Sequence, residues 1–210
     1  WLFVAATKTN SGLFFGAHGS LWFDKKFALW DNVVALTNYQ GGIYWRWILN
    51  SFFYAFVGGF LATAVAVFAG YGFAKYRFRG KNLFFNIVLG ALMIPSTALV
   101  IPTFLLMSKF ELTDTIWAVL LPSMLNPMGV YLMRIYCHES LPDEMIEAAR
   151  VDGANEMYTF FKVSLPIMRP AVTTVFLLSV VAAWNNYFLP QVVLTSQKLF
   201  PITVGLTNWQ

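Results

Sequence analysis

The sequence predicts an all-α protein that crosses a membrane several times, and three observations carry the prediction. Of its 210 residues, 58% are hydrophobic and only 11% are charged, against roughly 25% charged in an ordinary soluble domain. The apolar residues gather in runs long enough to cross a hydrocarbon core of about 30 Å at 1.5 Å per residue. Lysines and arginines cluster in short segments between those runs, as the positive-inside rule expects of cytoplasmic loops. The length suits one domain. A net charge of +4 is accounted for by these juxtamembrane cations, and no basic stripe with interleaved stacking aromatics points to nucleic acid. A lone cysteine, Cys137, offers neither a disulfide framework nor a CxxC site.

Taken in order, residues 1–7 are apolar but too short to span. With no initiator Met and a polar end at Asn208-Trp209-Gln210, the expectation is that both ends are truncated and that 1–7 is the tail of a first span. Residues 8–46 mix His18, Asp24, Lys25, Lys26 and Asp31 with Trp22, Trp30 and Trp45, and Gly41-Gly42 breaks them. They read as an external loop near an interface with a short helix around 29–36. Residues 48–74 form an uncharged span with a small-residue stripe, Gly58, Gly59, Ala62, Ala66 and Gly70, which favours close helix packing in lipid. Lys75, Arg77, Arg79 and Lys81 follow with no acid among them, marking a cytoplasmic turn. Residues 83–108 form a second span kinked by Pro95 and Pro102. The loop 109–115, with Glu111 and Asp114, lies outside, and 116–136 cross back with Pro122, Asn126 and Pro127 in the run. Residues 137–169 form a cytoplasmic loop, 171–195 the fourth span, and 196–210 an external loop.

The loop 137–169 is the main polar island. Ser140 can cap a helix with Pro142 near its first position, and Asp143 and Glu144 place negative charge in its first turn. Gly153 falls where that helix should stop. Asn155 and Glu156 restart a second piece, which Pro166 ends. Met145, Ala148, Ala149 and Asp152 share one face, whose alanines let a groove wall approach closely. The pattern is that of a short helix docking into a cytoplasmic partner.

Catalytic signals fail on inspection. His138-Glu139 begins like a zinc-protease motif, but Pro142 stands where the second His belongs; Gly80-Lys81 lacks the Ser or Thr and the first glycine of a P-loop. The apolar interiors of the spans carry no titratable charge, which argues against a proton-coupled carrier. They do carry Asn126 and the run Trp184-Asn185-Asn186-Tyr187. Amides match hydroxyls without charge, and an aromatic face suits a sugar ring, so these five residues are candidates for a substrate path. Asparagines that hydrogen-bond between helices are the equally open alternative.

Glu147-Ala148-Ala149, Gly153, Val163 and Leu165-Pro166 stand at the spacing EAA, three residues, G, nine residues, I-x-L-P, with Val for Ile. Leu141-Pro142-Asp143-Glu144, Asn50-Ser51, Tyr71-Gly72-Phe73-Ala74-Lys75, Arg77-Phe78-Arg79-Gly80, Ile94-Pro95, Ile101-Pro102, Trp184-Asn185 and Gly205-Leu206 extend the pattern. With these residues the chain resembles the permease subunits of binding-protein-dependent ABC importers, in the carbohydrate-uptake branch related to the maltose transporter. The likeness runs nearly end to end over 47–210 and is weak over 1–46.

The resemblance implies a type I ABC importer transmembrane fold of six spans, here about four complete spans plus the end of the first. It implies a multi-pass protein of the bacterial cytoplasmic membrane that translocates a sugar or oligosaccharide. Glu147, Ala148, Ala149, Asp152, Gly153, Ala154, Leu165 and Pro166 would dock on a separate ATPase subunit. That subunit would carry ATP and Mg, leaving no cofactor and no enzyme activity on this chain. A second, homologous permease subunit and an external solute-binding protein, met by 196–210, would complete the machine. The same machine carrying a sugar phosphate or an amino acid, a stand-alone secondary carrier and an intramembrane enzyme are the alternatives.

Overall fold

The computed structural model describes residues 1–15, 22–24 and 26–208, and no strand occurs among them. His18, Lys25, Trp209 and Gln210, to which the sequence attached expectations, lie outside the described residues. The chain divides into two compact units, 1–49 and 50–210.

The first unit holds α1 (Leu2–Ala6), α2 (Asn10–Phe15) and α3 (Leu29–Asn38). Buried Lys8 pairs with Asp24 at 2.9 Å, and the Asn32 amide donates to the Ala6 and Lys8 carbonyls at 2.8 Å each. The helix expected around 29–36 is α3. After it, a 3-10 turn Tyr39–Gly41 ends at Gly42, whose φ of 86° lies in the left-handed region. Helix α4 (Ile43–Lys75) begins directly after this glycine, so it starts earlier than the apolar run alone suggested.

In the second unit the small-residue stripe of α4 is in use. A Cβ on Gly59 would lie 2.7 Å from Val180 Cγ2, and one on Gly70 would collide with Met133 Cβ and approach the Arg134 nitrogen to 2.9 Å. Two neighbouring helices therefore meet the α4 backbone at those points. The second span is not one kinked helix. Helix α5 (Lys81–Ala91) and the stretch Ser96–Lys109, whose regular part is α6 (Val100–Lys109), are bent by 100°. Pro95 supplies the break, because it lacks a donor and drives Ile94 out of helical geometry. Pro102 makes no kink: it sits in the first turn of α6, where backbone donors have no intrahelical partner anyway.

Helix α7 (Ile116–Ser123) and α8 (Pro127–Ser140) follow. Asn126 caps α8 by accepting the Gly129 N–H at 2.8 Å, with Pro127 just behind it. Ser140 is the last residue of α8 and caps nothing; α9 (Asp143–Val151) has Pro142 at its cap position with no side-chain bond. Asp143 and Glu144 do occupy the first turn. The far end of α9 closes with Ala154 N–H on the Ala149 carbonyl and Gly153 N–H on that of Arg150, both at 3.0 Å. Gly153 has φ 84°, and this pair of bonds is a Schellman closure. Asn155 then caps α10 (Glu156–Tyr158) by accepting from the Tyr158 N–H at 2.8 Å.

Pro166 does not end this second piece. The chain passes from α10 through a π-helical turn, Thr159–Ser164, into α11 (Leu165–Trp184), with Pro166 in the first turn of α11. A wider i→i+5 turn re-routes the bonds that the proline ring would break, so the helix continues. Helix α11 stops at Trp184, short of residue 195, and α12 (Phe188–Val193) and α13 (Ile202–Thr207) complete the unit. Among the described residues three helices, Ile43–Lys75, Ile116–Ser140 and Glu156–Trp184, are long and apolar enough to cross a membrane, with a fourth crossing if the bent pair counts as one. A core of Ala66, Tyr71, Met133, Cys137, Phe160, Met168 and Val175 ties α4, α8, the π turn and α11 together.

Candidate functional site

Two places on the second unit gather the residues singled out above. At one end is the loop of α9 and α10. Ile146 anchors α9, being 4% exposed, while Glu147, Ala148, Asp152 and Gly153 are exposed and Ala149 and Ala154 half-buried. Met145, Val151, Met157 and Tyr158 add exposed apolar surface around them. Leu165 and Pro166 are both half-buried. They lie beyond the π turn, and Leu165 packs against the core.

The loop is held by side chains that the sequence reading did not pick out for this task. Lys75, counted there as a loop cation and as the end of the Tyr71–Lys75 motif, donates to Asp143 at 2.7 Å and to the Leu141 carbonyl. Its own side chain is 7% exposed. Its hydrogen bond, and then its charge, hold the Asp143 carboxyl below its ordinary value. Tyr76 donates to Glu156 at 2.8 Å, and Arg150 donates to the other oxygen of the same carboxylate at 2.7 Å. Burial, then the bond to Glu156, push the Tyr76 phenol up to about 12. A local signal existed in the basic turn 75–81 beside the acids of 143–156, but the pairing is long-range and spacing cannot show it.

The second place is a pair of adjoining cavities of about 880 and 730 Å³. Three helix breaks converge on them. Ser96 and Thr97 come from the bend between α5 and α6, Ser123 and Asn126 from the break between α7 and α8, and Asn185, Asn186 and Tyr187 from that between α11 and α12. Irregular backbone at membrane depth is tolerated where it lines a cavity. Asn126 both caps α8 and donates to Ser179 Oγ at 2.8 Å, so it serves as a link between helices as well as a wall. The Asn185 amide donates to the Val181 carbonyl at 2.9 Å. Asn186 lines both cavities. Trp184 is not brought there: its ring packs edge-on against Phe52 of α4, centroids 5.0 Å apart. Ser96, Thr97, Ser123 and Ser179 were missed, and their nearness to the helix-breaking prolines was the available signal for the first three. The described lining residues include no Lys, Arg, Asp, Glu or His.

Residues 62–210 match the family described as the binding-protein-dependent transport system inner membrane component. The chain is 38% identical over 189 residues to the arabinooligosaccharides transport system permease protein AraQ of Halalkalibacterium halodurans, covering 90% of this chain and 67% of that one. It is 32% identical to the lactose transport system permease protein LacG of Rhizobium radiobacter, over 99% of this chain and 73% of the other. Among solved structures, a bacterial ABC transporter involved in the import of the acidic polysaccharide alginate contains a chain similar to this one. The TM-score is 0.85 at 28% identity, over 99% of this chain and 71% of that one. The chain thus spans about two thirds to three quarters of the length of these relatives.

Proposed function

Because the chain belongs to the family of binding-protein-dependent transport system inner membrane components, we propose that it forms part of the path by which an ATP-driven importer moves a sugar or oligosaccharide. It is an all-α inner-membrane protein, and permease subunits of this family are not themselves enzymes. The observation that carries the substrate class is the convergence of three helix breaks on an uncharged, largely apolar wall into which they bring amides and hydroxyls. Such groups can donate to and accept from sugar hydroxyls in one place.

In this reading the α9–α10 loop faces the cytoplasm and seats its exposed face, Glu147 to Ala154, in a cleft of a separate ATPase that binds ATP and Mg. Leu165 and Pro166 support that face from within and do not touch the partner. A loaded solute-binding protein meets the opposite end, around 196–208, and a second permease chain closes the open side of the cavities. ATP-driven approach of two ATPases moves the loops and, through them, the wall of the path.

A sugar phosphate is the second reading, since a glycerol-3-phosphate transport system permease protein, UgpE of Escherichia coli, is 27% identical over 97% of this chain. An anionic solute would draw its counter-charge from the other permease chain, because the described cavity walls here supply none. The deciding experiment is uptake by the assembled importer. Asn186→Ala is expected to lower arabino-oligosaccharide or lactose uptake by about tenfold, the worth of one or two substrate hydrogen bonds, with the ATPase still co-purifying. Unchanged uptake by Asn186→Ala and Ser123→Ala variants would remove the path from this chain, and preferential uptake of glycerol phosphate would favour the second reading.

A further inference from the structure

Helix α4 is fastened at both ends to segments far apart in sequence. At its Lys75 end, Lys75 grips Asp143 and the Leu141 carbonyl, and Tyr76, just past the helix, reaches Glu156, which Arg150 also holds. Two turns inside its other end the Asn50 amide donates to the carbonyls of Lys198 and Phe200, both at 2.9 Å. Tyr54 donates to the carbonyl between them, Leu199, at 3.0 Å, and Ser51 Oγ accepts the Ile202 N–H at 2.7 Å. The backbone of 198–202 therefore takes its side-chain hydrogen bonds from one turn of α4. Asn50 to Lys75 is one unbroken helix, about 38 Å long at 1.5 Å per residue. Close backbone contacts at Gly59 and Gly70 pin its middle to α11 and α8.

We infer that α4 from Asn50 to Lys75 is a rod joining the α9–α10 docking loop to the 198–202 segment, so that partners seated at its two ends are felt through one helix. The identity of those partners, an ATPase at the first end and a binding protein at the second, rests on the proposed function. Asn50, Ser51, Tyr54, Lys75, Tyr76 and Asp143 are positioning residues in this scheme. They touch no substrate; they fix the two loops to the ends of the rod. A helix packed along its length bends less readily than the loops it carries, so a shift imposed on Asp143 and Glu156 is delivered at Lys198 to Ile202.

The test uses the assembled importer and reads how far a loaded binding protein stimulates ATP hydrolysis. Tyr54→Phe removes one clasp bond at one end and Asp143→Asn weakens the clasp at the other. Each is expected to cut the stimulation about fivefold, the lower end of ordinary coupling between sites, with ATPase co-purification and unstimulated hydrolysis unchanged. Asp143 is 72% exposed, so its replacement leaves the fold intact, and Asp143→Glu, which keeps the charge, should keep most of the stimulation. Changes this far apart normally act independently to within about a factor of two. A rod predicts otherwise: the double variant should be no worse than the worse single one. Full stimulation in both single variants, or independent effects that multiply in the double, would overturn the rod. Failure of any ATPase to co-purify with the unaltered chain would instead overturn the partner assignment beneath it.

Discussion

At Gly70 a single methyl group would collide with Met133, while two residues along, at Gly72, the same methyl would meet nothing within 4 Å. Gly70→Ala is therefore expected to destabilise the protein by about 1–3 kcal/mol, the usual cost of overfilling a packed contact. Gly72→Ala should be neutral or mildly stabilising, and thermal unfolding in detergent compares the two directly. Thr159 poses the opposite problem. It is fully buried, and its hydroxyl has no hydrogen-bond partner among the described residues. Thr159→Val keeps the shape and removes the unpaired group, so a gain of about 1 kcal/mol is expected from the same measurement. The Gly70 contact was legible in the sequence, because small residues recur along one face of an apolar helix. The Thr159 hydroxyl was not, since nothing local separates a satisfied threonine from an orphaned one.

The docking loop behaves as an element whose two halves differ in how they are specified. Its Gly153 closure and Asn155 restart are local and could be read from spacing. Gly153→Asp places a side chain at φ 84°, a strain of about 1–2 kcal/mol, and breaks the geometry that turns the chain from α9 to α10. Uptake should fall sharply while the protein still inserts, which uptake and membrane-fraction measurements separate. Glu147→Ala should weaken ATPase co-purification without affecting insertion. The continuation past Pro166 was not legible, because a proline normally signals an end and only the π turn lets the helix pass it. The clasp from Lys75 and Tyr76 has its own pH range. Asp143 titrates below its ordinary value, so its contribution is present above about pH 4 and is lost as pH falls through the lowered folded value. Tyr76 contributes fully below about pH 10 and loses that contribution as pH rises towards about 12. Stimulation of ATP hydrolysis by a loaded binding protein should accordingly show no step from these two groups between about pH 5 and pH 9.

Across the whole second unit, the apolar runs marked out the helices well, and the prolines marked out where they break, but neither told how the breaks would meet. Pro95, Pro122 and Asn185 are separated by tens of residues, yet their neighbours share one pair of cavities. Asn126 and Asn186 could be named from composition because an amide in an apolar run stands out. Ser96 and Ser123 had only their nearness to helix-breaking prolines to mark them, a weak signal since small hydroxyl residues are ordinary companions of a helix kink. The same long-range character hid the fastening of 198–202 to Asn50, Ser51 and Tyr54; the sequence offered Asn50-Ser51 only within its motif series and did not single out Tyr54.

The π turn at Thr159–Ser164 also bears on the exchange of parts between relatives. It carries one residue more per hydrogen-bonded loop than an α turn, and each residue of an α-helix advances the direction of a side chain by about 100°. A chimera that transplants a foreign α9–α10 segment with a junction losing one residue of this turn would point the grafted face about a quarter-turn away from its seat. Such grafts should succeed when the donor supplies its own chain through Pro166 and fail when the seam is cut at Tyr158 with the count altered, even if every docking residue is correct.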